Sequence, residues 1–261
     1  MSSIGWDRIG WDTTRRYEIG HGTGFFIDEL GLILTNQHVI GPSEYIAVQS
    51  DGEHKVRALL LASDAEKDVA VLWVDRSGLP GTVVAPLATY VLGEGLAVES
   101  ERVFTIGSPL SQRKILTTGI VSNVEQRAII SDININPGNS GGPLFNSIGA
   151  VIGLTTFSES EHGIGPGISG IVRIEQVDEI VASARNKMKD LSAPSPNLLP
   201  VEPKQAYPLS ALKVAVSTDS FDVRPYVFIP RTRHFFQRLR CSYSCMVKIS
   251  RFQRAPKLPL T

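Results

Sequence analysis

Cysteine is nearly absent from this 261-residue chain. Cys241 and Cys245 could form at most one disulfide, so no cysteine framework holds the fold together. No run approaches the roughly 18 to 20 uncharged apolar residues of a membrane helix. The opening MSSIGWDRIGWDTTRR has no apolar segment behind its charges, which makes a cytoplasmic location the expectation. There is no HExxH, and the lone Cys241-x3-Cys245 pair lacks a second ligand pair, so neither metal nor cofactor is expected. Net charge is missing as well, since 26 Lys plus Arg balance 26 Asp plus Glu. That balance is uneven along the chain: beyond Asp190 eleven basic residues face three acidic ones. All 23 glycines lie at or before Gly170, whereas nine of the 16 prolines lie after residue 190. Two regions with different physical demands meet there.

What is present is a 42% hydrophobic chain with the apolar content of an ordinary globular core, which excludes collagen, coiled coil and wholly disordered chain. From Glu18 to about Val172 short β-branched and aliphatic runs alternate with Gly, Asn, Asp and Pro, the pattern of an all-β barrel or sandwich. Gly24 to Ile27 and Leu32 to Thr35 read as a hairpin turning at Glu29 to Gly31. Further strands are expected at Tyr45 to Gln49, Lys55 to Ala62, Val69 to Val74, Arg102 to Ile106, Lys114 to Val124, Ala128 to Ser131, Pro143 to Phe145, Val151 to Phe157 and Gly167 to Val172. So many short strands suit two small barrels, about 18–88 and 92–173, with Ala85 to Gly95 crossing between them. Ile174, Val177, Ile180, Val181, Ala184 and Met188 recur at helical spacing, with acids early and bases late, which predicts a helix over 174–190 packed on the second barrel. Residues 1–17 read as an N-terminal arm, and residues 191–261 as a Pro-rich, poorly ordered basic extension outside the barrels.

The most specific string is Asn136-Pro137-Gly138-Asn139-Ser140-Gly141-Gly142-Pro143-Leu144. A nucleophilic serine needs its hydroxyl presented on a tight turn, with backbone N–H groups aimed at a developing oxyanion; the flanking glycines permit both. A Gly-rich turn with an incidental serine would read the same way in isolation. The serine also requires a general base and a carboxylate to hold that base in the right tautomer. His38 sits where the apolar run Leu32 to Thr35 gives way to a polar turn, and Asp68 immediately precedes the apolar run Val69 to Val74. Asp64 competes for the orienting role, but lies a turn of chain upstream. His21, His54, His162 and His234 read as structural histidines. The order His, Asp, Ser differs from the subtilisin and α/β-hydrolase orders.

With those residues in place the chain resembles the HtrA/Deg family of trypsin-like serine proteases. The resemblance rests on Gly22-Thr-Gly-Phe-Phe-Ile-Asp, Leu34-Thr-Asn-Gln-His-Val-Ile, Asp68-Val-Ala-Val-Leu, Gly107-Ser-Pro, Thr118-Gly-Ile-Val-Ser, Asp132, Ile135-Asn-Pro-Gly-Asn-Ser-Gly-Gly-Pro-Leu and Val151-Ile-Gly-Leu, and covers about residues 18 to 183. It implies a chymotrypsin-like double β-barrel and a serine endopeptidase acting on unfolded or damaged polypeptides. Carried over by motif, His38 is the base, Asp68 its orienter and Ser140 the nucleophile, with the backbone of Gly138, Asn139 and Ser140 as the oxyanion hole. The other reading is a catalytically silent protease-like module that binds unfolded polypeptide.

Several features depart from the family pattern or refine it. Digestive and clotting proteases place an Asp just before the serine to pair with a new N-terminus; Asn139 cannot, so activation by N-terminal processing is not expected. Instead, the Pro137–Gly138 peptide is expected to flip between competent and incompetent states. Substrate-binding walls are expected from Asn134, Ile168, Ser169, Gly170 and Ile171. The family reads Gly-Ile-Gly-Phe-Ala-Ile-Pro where this chain has Gly167-Ile-Ser-Gly-Ile-Val-Arg, and Asn134 offers no counter-charge to a basic side chain. A small or medium aliphatic residue is therefore expected before the scissile bond. A PDZ domain needs a glycine-bearing carboxylate loop, so none is expected within 191–261. In HtrA-like trimers aromatic residues ahead of the first barrel pack across subunits, so the resemblance implies that Trp6 and Trp11 belong to a trimer-forming arm; the alternative is an arm folded back on its own barrel. The Arg231 to Cys245 stretch interleaves basic and aromatic residues, a pattern open to nucleic-acid or anionic-membrane contact as well as to disordered extension.

Overall fold

The computed structural model describes residues 18–43, 45–51, 53–88, 96–107, 115–136, 138–156, 169–199 and 244–252. The first half contributes β1 (Glu18–Phe26), β2 (Leu32–Thr35), the single helical turn α1 (Gln37–Ile40), β3 (Tyr45–Gln49), β4 (Lys55–Asp64) and β5 (Val69–Trp73). The second half contributes β6 (Arg102–Gly107), β7 (Ile115–Val124), β8 (Ala128–Ser131), β9 (Pro143–Phe145), β10 (Val151–Thr155), β11 (Ser169–Arg173) and α2 (Asp178–Met188). A last strand, β12 (Met246–Phe252), lies far downstream. These strands close two six-stranded barrels, in the order β1-β12-β3-β4-β5-β2 and β10-β11-β8-β7-β6-β9. The expected all-β double barrel with a helix after it is the fold observed.

Local chemistry sets the hairpins. Asp28 Oδ1 accepts from the N–H groups of Leu30 and Leu32, closing the β1–β2 turn so that Phe25 faces Leu34 and Phe26 faces Ile33. Alternation then sorts side chains between two cores. Phe26, Ile33, Val48, Val56 and Leu72 fill the first barrel, and Val103, Val121, Ile129, Leu144 and Ile152 fill the second. The opposite faces of the same strands form the seam between barrels, where Phe25, Leu34 and Val71 meet Phe104, Phe145 and Leu154. Residues 85–88 bridge that seam: Ala85 N–H donates to the Phe26 carbonyl, and Ala88 N–H to the Val151 carbonyl.

Two expectations change here. Residues 191–261 do not all lie outside the barrels, because β12 inserts between β1 and β3 and completes barrel one. The physical cause is the alternation Val247-Lys248-Ile249-Ser250, which sends Val247 and Ile249 into the barrel interior. Leu199 N–H also donates to the Lys55 carbonyl at 2.7 Å, holding the start of the extension on the same barrel. Barrel one is thus more than residues 18–88. The helix, in turn, packs on β4 and β5 of barrel one rather than on barrel two. A 3-10 turn at Ile174–Gln176 carries the chain from β11 back to the seam. There Ile180, Val181 and Ala184 join the shared core, and Lys67 pairs with Glu179 at 3.0 Å. Residues 89–95, the N-terminal arm with Trp6 and Trp11, His162, His234 and the Arg231 to Tyr243 stretch lie outside the described residues.

Candidate active site

His38 stands in α1, directly after β2, where the strand's polar neighbours Thr35 and Asn36 are fully buried. Its imidazole Nδ1 lies 2.8 Å from Asp68 Oδ2, and its backbone N–H donates to Asp68 Oδ1 at 3.0 Å. One carboxylate therefore fixes both the ring and the main chain of the histidine. Asp68 is itself over-determined. Its carbonyl accepts from Asn36 Nδ2 at 2.8 Å, its Oδ2 accepts from the Thr156 hydroxyl at 2.7 Å, and its backbone sits at φ 52, a left-handed conformation that costs a non-glycine residue of order 1–3 kcal/mol. Asp64 resolves as a turn residue: its Oδ1 accepts from the N–H groups of Glu66 and Lys67.

Burial pushes the Asp68 carboxyl up, but hydrogen bonds from the His38 ring and backbone and from Thr156, together with the His38 charge, outweigh it and hold the group below the ordinary carboxylate range. A carboxylate that stays charged favours the tautomer with the proton on Nδ1 and leaves Nε2 as the acceptor.

Ser140, carried by barrel two, is docked on barrel one. Its carbonyl accepts from the Thr23 N–H at 2.8 Å, while the Thr23 hydroxyl donates to the Gly138 carbonyl at 2.7 Å. The serine turn thus docks on β1 through Thr23. The fit leaves no room for a side chain at Gly141, where φ is 83 and a Cβ would come within 2.1 Å of the Thr23 carbonyl oxygen. A Cβ on Gly22 would similarly meet both the Ser140 carbonyl and Val39, the neighbour of His38. Gly138 has φ 100, available to glycine alone at little cost. Of the three backbone groups expected at an oxyanion hole, the Asn139 N–H is committed to the turn, donating to the Asn136 carbonyl at 2.9 Å. Pro137 lies outside the described residues.

The expected substrate walls divide. Asn134 is exposed, Ser169 is held by a hydrogen bond from its Oγ to the Ile133 carbonyl, and a Cβ on Gly170 would meet nothing within 4 Å. Ile171 departs from expectation: it is 1% exposed and packs in the core of barrel two, because alternation along β11 turns it inward. Ile168 lies outside the described residues. Sequence reading missed Thr156, whose signal is a second threonine placed directly after the apolar strand β10.

Residues 22–154, which span all of these groups except Thr156 and the expected substrate walls on β11, match the trypsin-like peptidase domain family. The chain belongs to that family. It is an HtrA-like member. It is 34% identical over 173 residues to a probable periplasmic serine endoprotease DegP-like of Halomonas elongata, a match that covers 63% of this chain and 35% of the relative. It is 34% identical over 174 residues to Protease Do-like 1, chloroplastic, of Arabidopsis thaliana, covering 62% and 38%. Among solved structures it resembles the serine endoprotease from Yersinia pestis, with a TM-score of 0.55, 31% identity, and 63% of this chain and 57% of that one covered. It also resembles the HtrA-type protease AlgW with decapeptide, with a TM-score of 0.55, 29% identity, and 63% and 51% covered. The chain spans about a third of the length of the curated relatives it matches.

These relatives correct the expectation of a cytoplasmic location, since they are named periplasmic or chloroplastic. That expectation rested on the composition of residues 1–16, and the end of a chain that spans part of its relatives does not carry such a conclusion.

Proposed function

We propose that this HtrA-like chain is a serine endopeptidase in which Ser140 is the nucleophile, His38 the general base and Asp68 the residue that orients the base. The observation that carries the reading is the double grip of Asp68 on His38, with the Ser140 turn pinned through Thr23 to the same barrel. Ser140 Oγ attacks the scissile carbonyl carbon while His38 Nε2 takes the hydroxyl proton. The oxyanion so formed is held by the N–H groups of Gly138 and Ser140. His38 then gives its proton to the amine as the C–N bond breaks, and water repeats the sequence to release the acyl group. The Pro137–Gly138 peptide controls whether the Gly138 N–H points at the oxyanion.

Substrates are polypeptides, in keeping with relatives named endoproteases and a neighbour solved with a decapeptide. Exposed Asn134 and the open space at Gly170 favour an uncharged, small or medium aliphatic side chain before the scissile bond. The protease unit comprises residues 18–190 together with β12, and the arm bearing Trp6 and Trp11 joins copies into a trimer. A compartment outside the cytosol fits the named relatives.

Labelling with a fluorophosphonate probe tests the assignment. Wild type is expected to label at Ser140 and to cleave casein, and Ser140→Ala is expected to do neither. Wild-type protein that binds unfolded casein without labelling would instead identify a silent binding module.

A further inference from the structure

Arg251 lies on β12, the strand that returns from the distal part of the chain to close barrel one. Val247, Ile249 and Arg251 form one inward-facing row along that strand, and the first two are buried in the barrel interior with Val39 and Ile40 of α1. The row therefore ends at the mouth of the barrel that α1 covers, and it ends in a cation. Its guanidinium occupies a slot that two glycines leave open. A Cβ on Gly20 would come within 2.5 Å of Nε, and a Cβ on Gly41 within 2.4 Å of Nη1. From that slot Nη1 donates to the His38 carbonyl at 2.8 Å.

The main chain of His38 is consequently held at both ends. Its N–H is taken by Asp68 and its carbonyl by Arg251, while the neighbouring Gln37 and Ile40 carbonyls accept from Gly41 and Ser43. A single helical turn has little stability of its own, so such external bonds decide how sharply its side chains are aimed. We infer that Arg251 is a positioning residue for the general base, by which the distal strand of the chain sets the efficiency of the site. The inference rests on the assignment of His38 as base. Arg251 touches neither substrate nor the reacting atoms; it acts by holding the turn from which the imidazole is presented. Loss of a 1 Å-scale alignment at a base lowers the rate of acylation while leaving substrate binding in place.

The experiment compares wild type with Arg251→Ala, Arg251→Met, Arg251→Lys and Gly20→Ala in the full-length protein, reading fluorophosphonate labelling rate, kcat and KM on a peptide substrate, and melting temperature. Arg251→Ala and Arg251→Met are expected to acylate about tenfold more slowly, the usual effect of removing one charged hydrogen bond, with KM within about twofold. Arg251→Lys restores part of the rate through one remaining donor, and millimolar guanidinium restores part of it to Arg251→Ala by refilling the slot. Gly20→Ala reaches the same end without altering β12, since its methyl displaces only the flexible end of the arginine, and it is expected to slow acylation as well. A folded Arg251→Ala that acylates within twofold of wild type overturns the inference, as does a loss that neither lysine nor guanidinium relieves. Unlabelled wild type would overturn the protease reading and this inference with it, whereas labelled wild type with an equally fast Arg251→Ala overturns this inference alone.

Discussion

The two barrels have the same strand number and opposite architectures in sequence. Barrel two draws every strand from one continuous stretch, Arg102 to Arg173. Barrel one takes five strands from Glu18 to Trp73 and its sixth from Met246 to Phe252. Barrel two can close as soon as its own segment exists; barrel one cannot close until the distal strand arrives. Bringing β12 back across so long a connection costs about 2–3 kcal/mol more in loop entropy than a hairpin-length link. The antiparallel ladders to β1 and β3, together with the burial of Val247 and Ile249, offset it. His38 and Asp68 belong to the barrel that closes this way, and Ser140 to the barrel that does not. The proposed site, split between them, is expected to be complete only when the distal strand is in place.

The sharpest way to break this comparison is to end the chain at residue 243. Barrel one would then expose the unpaired edges of β1 and β3 and lose the buried side chains of Met246, Val247, Ile249 and Phe252. The expected result is loss of cooperative melting and of fluorophosphonate labelling together. A truncated protein that melts and labels like wild type would show that β12 is dispensable.

Next in size is Asp68→Asn, which keeps the shape of the site but favours the wrong imidazole tautomer. A loss of about 10⁴ in kcat is expected, by analogy with the same change in a well-studied triad, with melting little altered. An effect under tenfold would return the orienting role to another group.

A matched pair of core truncations then compares the barrels directly. Ile249 and Ile171 are 0% and 1% exposed, one in each core. Replacing either by alanine should cost about 2–5 kcal/mol. The difference should lie in kinetics. If β12 docks last, Ile249→Ala accelerates unfolding and leaves the folding rate nearly unchanged, whereas Ile171→Ala slows folding. Stopped-flow folding and unfolding rates measure both; equal partition in the two variants would mean that both barrels close in one step.

Barrel two and most of barrel one were legible in the sequence because local alternation and turn chemistry specify them. Asp28 and the Gly31 turn fix the first hairpin, and the Gly138-Asn-Ser-Gly-Gly string fixes the serine turn. The partners of the triad residues were less legible. Thr156 meets Asp68 across 88 positions and Arg251 meets His38 across 213, and neither distance leaves a local pattern. β12 did carry a local signal in Val247-Lys248-Ile249-Ser250, but it stands in a glycine-free, proline-rich context that reads as extension. Ile171 was misread for the opposite reason: a residue near the substrate strand looks like a wall until the pleat shows which way it faces.

The smallest expected effect tests how tightly the two barrels are coupled through the carboxylate. Thr156 belongs to barrel two and Asp68 to barrel one, so their 2.7 Å hydrogen bond is a direct link across the seam. Because the folded state holds the Asp68 carboxyl below its ordinary value, the ionised group contributes stability at neutral pH. That contribution begins to fall only as the pH drops below about 4, the ordinary aspartate value, and is lost as the pH passes through the lower folded value. Thr156→Val removes one of the bonds that favour the charged form, so the folded value rises toward the ordinary one, the contribution is smaller, and its acid loss is complete at a higher pH. About 1 kcal/mol of stability at neutral pH should go with it. Melting temperature followed from pH 7 into the acid range reads both: wild type and variant should differ fully at pH 7, and the gap should narrow below about pH 4 as the folded Asp68 takes up its proton. A gap that stays constant until both proteins have unfolded in acid would mean that Thr156 packs against Asp68 without stabilising its charge.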